Sequence, residues 1–126
     1  VTLSNEEDAL QSNLLSQLNE EGFTSSNLSQ LSKITGNSKD KLMRLLIIAE
    51  QQGKLLRING NLMFTQTNFL KLQKKVAQHF TNHSEMSVSE FKELAETSRK
   101  YAVPLLEYFD KKKITFREGN SRKLVK

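Results

Sequence analysis

The chain has 126 residues, 37% of them hydrophobic and 26% charged, with a net charge of +5 and no cysteine. That length suits one ordinary domain or two very small ones. The lack of cysteine excludes disulfides and thiolate zinc sites and permits a reducing cytoplasm. No apolar run reaches the roughly 18 residues of a membrane span, and the acidic, polar first ten residues predict no secretory signal. The chain begins with Val and not Met, so a piece of a longer protein is expected.

The charge is unevenly spread. Residues 1–66 hold six Lys/Arg against seven Asp/Glu, net −1, while residues 67–126 hold thirteen against seven, net +6. This asymmetry suggests that one part binds a polyanion and the other positions it; a solvated, lysine-rich surface is the plainer alternative.

In chain order, Thr2-Leu3-Ser4-Asn5 before Glu6-Glu7-Asp8 reads as a helix start, with acids at the positive dipole end. Leu10, Leu14, Leu15 and Leu18 continue that helix to Gly22, and Phe23-Thr24 reads as a short extended bridge. Ser26 or Asn27 caps a second helix with Leu28, Leu31 and Ile34, and Thr35-Gly36-Asn37 is a turn. Ser38 caps a third helix carrying Leu42, Leu45, Leu46 and Ala49. Leu55–Ile58 and Leu62–Thr65 then flank Asn59-Gly60-Asn61, a strong hairpin signal.

The order then repeats. A helix opening at Thr67 carries Phe69, Leu72, Val76 and Phe80 to about His83, and Met86-Ser87-Val88 reads as a short strand. Ser89 is taken as the cap of the next helix, and Thr97-Ser98 as the cap of the last. In that last helix Ala102, Leu105, Leu106 and Phe109 recur at the spacing of one buried face. Two extended runs follow, Ile114–Arg117 and one ending Leu124-Val125, around Glu118-Gly119-Asn120.

Residues 38–65 align with 98–125 at a constant offset of 60, placing Glu50 on Asp110 and Arg57 on Arg117. The fold class expected is therefore α+β, mainly helical with small β-hairpins. The chain reads as two tandem winged-helix domains, a helix-turn-helix variant, at 1–66 and 67–126. No Pro/Gly/Ser-rich linker separates them, so a stiff connection is expected.

The polyanion-binding residues cluster in the second repeat. Arg99 and Lys100 lie in a helix's first turn, where backbone N–H groups and the dipole already attract phosphate. Arg117, Arg122, Lys123 and Lys126 put charge on both wing strands, with Arg122 facing opposite to Lys123. Lys111–Lys113 are weaker candidates. Tyr101 and Tyr108 could stack on an exposed base, although core packing with a phenol tip outside is the plainer reading. Pro104 stands inside the helix, where it removes a hydrogen bond to the Lys100 carbonyl. His79 and His83 have the i, i+4 spacing of a metal pair but lack the glutamate and third ligand of a zinc peptidase. Phosphate-binding loops, nucleophile elbows and paired catalytic carboxylates are missing, so neither enzymatic activity nor a cofactor is expected in this segment.

Ser98-Arg99-Lys100-Tyr101-x-x-Pro104-Leu105-Leu106-Glu107-x-x-Asp110, followed by Thr115-x-Arg117-x-Gly119-x-x-Arg122, resembles the C-terminal end of SelB, the bacterial selenocysteine-specific elongation factor family. The resemblance implies the last two of four winged helices. The final one would grip the selenocysteine insertion (SECIS) hairpin of an mRNA, tethering the factor and selenocysteinyl-tRNA near an in-frame UGA codon. It implies RNA contacts by Ser98, Arg99, Lys100, Tyr101, Arg117, Gly119, Arg122 and Lys123. It also implies a GTPase domain with bound GTP elsewhere in the full factor, ribosome contact through that factor, no membrane partner, a monomer and a cytoplasmic location. The alternative is a tandem winged-helix DNA-binding regulator whose third helix enters the major groove. Residues 1–66, nearly neutral, could also serve as a protein-binding module.

Overall fold

The computed structural model describes residues 3–24, 26–58 and 62–125; the expected Asn59-Gly60-Asn61 turn, Thr2 and Lys126 lie outside the described residues. The chain divides into two compact units, Val1–Asn68 and Phe69–Lys126. The fold is the α+β winged helix, with six helices and small antiparallel sheets among the described residues.

In the first unit, α1 (Asn5–Glu21), α2 (Leu28–Thr35) and α3 (Lys39–Gln51) precede the hairpin β1 (Leu55–Ile58) and β2 (Leu62–Thr65). α1 starts where Ser4 and Glu7 close a reciprocal capping box, the Ser4 hydroxyl accepting from the Glu7 amide and the Glu7 carboxylate from the Ser4 amide. Asn27, and not Ser26, caps α2, in a second capping box with Gln30. The apolar faces meet in a core of Leu14, Leu18, Leu31, Leu42, Leu45, Leu46, Ala49, Leu55 and Met63. Each Leu or Met among them contributes about 1.5–3 kcal/mol by leaving water. Gln11 is buried among them and is satisfied by donating to the Leu45 carbonyl at 3.1 Å. Ile34 is 60% exposed, because α2 has only eight residues and turns that position outward. Phe23 and Thr24 lie in a turn and not in an extended bridge; Phe23 still packs on Phe64, with ring centroids 5.3 Å apart.

In the second unit, α4 (Gln66–Asn82, opening in the last residues of the first unit), β3 (Met86–Ser87), α5 (Val88–Ala95) and α6 (Arg99–Lys111) precede β4 (Thr115–Glu118) and β5 (Ser121–Leu124). Here the sheet has three strands, in the order β3-β5-β4, with Met86 opposite Arg122 and Arg122 opposite Arg117. Ser87, and not Ser89, caps α5: its hydroxyl accepts from the Glu90 amide at 3.0 Å, and Glu90 accepts from the Ser87 amide at 2.9 Å. Those bonds hold the Glu90 carboxyl below its ordinary pKa, as the Ser4 bonds and the Arg44 guanidinium do for Glu7. The core joins Phe69, Leu72, Val76, Met86 and Phe91 to the predicted α6 face of Ala102, Leu105, Leu106 and Phe109. Phe109 is its centre, with the Phe69 and Phe91 rings at 5.1 and 5.4 Å. Tyr108 is part of this packing, edge-on to Phe69 at 5.6 Å, which supports the core reading of that tyrosine. α6 continues through Pro104.

Candidate nucleic-acid interface

The interface candidates of the second unit are built on α6 and its wing. Ser98 occupies the N-cap of α6 with extended backbone, yet its side chain makes no capping bond, and the first turn carries no acid. The N-terminal amides of α6 are thus left without the side-chain acceptor that Ser4, Asn27, Ser38 and Ser87 supply to other helices. Ser98, Arg99 and Lys100 are exposed. The Lys100 ammonium lies 5.4 Å from the centre of the half-buried Tyr101 ring. Amides without a side-chain cap, two cations and a helix dipole at one point suit a phosphate.

The wing sorts its cations differently from the sequence expectation. Arg117 is exposed on β4, and its Nε donates to the Gly119 carbonyl at 3.0 Å, which folds the guanidinium along the hairpin turn. Lys123 is half-buried on the other face and pairs with Glu118 at 3.1 Å. Arg122, expected to offer its fork to RNA, is buried: its side chain is 7% exposed, and Nε donates to Asp110 Oδ2 at 2.9 Å. The second Asp110 oxygen accepts from the buried Thr115 hydroxyl at 2.7 Å. The physical reason is strand position. Arg122 lies on β5, the middle strand, between Met86 and Arg117. Among the described residues Asp110, at the end of α6, is the acid that pairs with its charge. Arg122 therefore holds the wing to the helix.

The structure thus assembles two groups, Ser98–Tyr101 at the start of α6 and Arg117, Gly119 and Lys123 on the wing. No hydrogen bond or ion pair joins the one group to the other among the described residues.

The structure adds two features beside these groups. Phe116 points outward from β4 and is 43% exposed. Beside it a groove of about 700 Å³ opens between the wing and the end of α4, walled by Phe80, His83, Phe116 and Lys123 among others. The signal was present in Phe116 itself, an aromatic on the strand face opposite Thr115 and Arg117. His79 and His83 instead pack on each other. Their rings stack at 4.3 Å, His79 Nε2 contacts the Glu85 carbonyl at 2.8 Å, and no metal-holding cluster occurs among the described residues.

Comparison with known proteins bears on this geometry. Residues 78–124, most of the second unit, match the family described as "Elongation factor SelB, winged helix". A selenocysteine-specific elongation factor from Desulfomicrobium baculatum is 32% identical over 93 residues, 74% of this chain; the chain spans only 14% of that relative. Among solved structures, the mRNA-binding domain of elongation factor SelB from E. coli, in complex with SECIS RNA, superposes with a TM-score of 0.80 at 23% identity, covering 98% of this chain and 100% of that one. A bacterial selenocysteine-specific elongation factor superposes with a TM-score of 0.70 at 23% identity, covering 98% of this chain and 20% of that one. With a family match over residues 78–124, a relative 32% identical across 74% of the chain and the fold shared along its length, the chain belongs to the SelB elongation-factor family as a winged-helix segment.

Proposed function

We propose that this chain binds a SECIS-type mRNA hairpin, with residues 67–126 gripping the RNA and residues 1–66 acting as a spacer. One coincidence supports this most. The unit that carries the family match also carries the +6 charge and the uncapped, acid-free start of α6 with Arg99 and Lys100. A-form stems have a major groove too narrow for side chains, so proteins hold their phosphates and read unpaired bases in loops and bulges. In this reading the α6 N-terminus holds a stem phosphate. Arg117 and Gly119 face the loop, with Tyr101 as an aromatic surface at the helix start, while Lys123 and Phe116 offer contacts on the other face of the wing.

The segment would act by tethering and not by catalysis. GTP, selenocysteinyl-tRNA and ribosome contacts would belong to the rest of a longer factor, working in the cytoplasm and delivering its tRNA to an in-frame UGA codon. The chain itself would work as a monomer. The test is to titrate a labelled SECIS-type RNA hairpin and duplex DNA of similar length side by side at two salt concentrations. Tighter binding of the hairpin is expected. Equal or tighter binding of duplex DNA would favour a DNA-binding regulator instead.

A further inference from the structure

The two units share a fold and a gapless register, so each serves as a control for the other. At the turn that follows the third helix, the first unit reads Gln51-Gln52-Gly53 and the second reads Lys111-Lys112-Lys113. The backbone is the same in both. Gly53 has a φ of 76°, and Lys113, sixty residues later, has a φ of 60°. Both amides close the same turn, Gly53 donating to the Glu50 carbonyl and Lys113 to the Asp110 carbonyl.

Two plain accounts of the three lysines fail against this control. Cations are favourable at a helix C-terminus, yet the last turn of α3 carries no cation and ends on neutral glutamines in the same fold, with Lys54 just beyond the turn. A solubilising surface could place lysine anywhere, whereas Lys113 occupies a left-handed conformation that disfavours any residue with a Cβ. Lysine stands in that conformation where the sister unit uses glycine. All three lysines are exposed; Lys112 lies 5.6 Å from the Tyr108 ring centre, and neither Lys111 nor Lys113 is ion-paired among the described residues.

We infer that Lys111, Lys112 and Lys113 form a second phosphate-binding site for RNA, at the opposite end of α6 from Arg99 and Lys100. The inference extends the RNA-binding reading above. α6 has 13 residues, so its two basic ends are about 20 Å apart at 1.5 Å per residue. One phosphate cannot serve both. The second site takes a backbone segment several base pairs away on the same stem, or the backbone of a separate RNA.

The experiment compares the full chain with a K111Q/K112Q/K113G variant, which restores the first unit's own residues. Three labelled probes are titrated between about 0.1 and 1 M salt: a SECIS-type hairpin with a stem of about 6 base pairs, the same hairpin with about 14, and a loop-free RNA duplex, given alone and to chain saturated with the short hairpin. Glycine at 113 relieves the left-handed strain, so the variant melts about 2–4 °C higher and weaker binding cannot be ascribed to misfolding. If the site takes the hairpin's own stem, the variant matches the parent on the short hairpin. It then loses about tenfold to a hundredfold in affinity for the long one at 0.1 M salt, and its salt slope falls by one to two units. If the site takes a separate RNA, the loss appears on the duplex given to the saturated complex. Equal affinities and slopes for both proteins on every probe would overturn the inference. A parent that ignores both hairpins but binds duplex RNA through these lysines would contradict the SECIS reading alone, and a parent that binds no probe would contradict both.

Discussion

Asp110 holds Arg122 across the α6–wing junction at 2.9 Å, whereas in the first unit the aligned Glu50 holds Arg57 at 3.3 Å. The acid is aligned in the two units but the cation comes from opposite strands, β5 in one and β1 in the other. Because Asp110 takes Arg122, the residue aligned with Arg57, Arg117, is left exposed on the wing.

The first prediction concerns that junction. Asp110→Ala leaves a buried guanidinium without its counter-charge and Thr115 without its acceptor. It should cost about 2–4 kcal/mol in urea unfolding. Arg122→Met strands the Asp110 carboxylate, which keeps the Thr115 hydroxyl and partial access to water; it should cost about 1–3 kcal/mol and leave the RNA salt slope unchanged. A slope reduced by one unit would return Arg122 to the interface.

Contacts that position should separate from contacts that specify. Arg99→Ala and Lys100→Ala should each weaken all hairpins about equally and lower the salt slope by about one unit. Arg117→Ala should cost about 1–3 kcal/mol on the cognate hairpin and relax discrimination at one loop or bulge base. The checks are dissociation constants for the cognate hairpin and its single-base variants at three salt concentrations.

Glu96 ends α5 with a φ of 52°, where the first unit has Gly36. Its ion pair with Lys75, at 3.5 Å, is exposed and worth little. Glu96→Gly should therefore stabilise the second unit by about 0.5–1 kcal/mol, read as a shift of the urea midpoint without a change in slope.

Glu7 and Glu90 have pKa values lowered by their capping-box bonds. A carboxylate whose pKa falls on folding contributes stability that is complete above its ordinary value and is lost as pH drops through the folded one. Stability should decline below about pH 4.5, and Glu7→Gln with Glu90→Gln should flatten that decline while keeping both caps. Melting temperatures from pH 3 to 6 would show it; an unchanged profile would assign the acid sensitivity to other carboxylates.

Periodicity made α6 legible from sequence, because Ala102, Leu105, Leu106 and Phe109 repeat on one face and all are fully buried. The gapless offset made the winged-helix order legible twice. The start of α5 was misplaced because Ser89 sits two residues past a better cap: Ser87 with Glu90 is the S-x-x-E box, and its bonds outweigh the next serine. Ile34 followed the apolar pattern but fell on an eight-residue helix with one fully buried position. Arg122 could not be read as buried from its own strand. Its burial depends on β3 pairing to the other side of β5 and on Asp110 twelve residues away. The lysine turn was visible as charge, but its strain appears only in the backbone angle of Lys113.

The most direct test of the central claim is amide chemical-shift mapping of the isotope-labelled chain titrated with a SECIS-type RNA hairpin. The largest changes should fall on Ser98–Tyr101 and on Arg117, Gly119 and Lys123, with residues 5–58 near their free positions. Largest changes within residues 5–58, or the same pattern and affinity with duplex DNA, would contradict the assignment of hairpin RNA binding to the second winged helix.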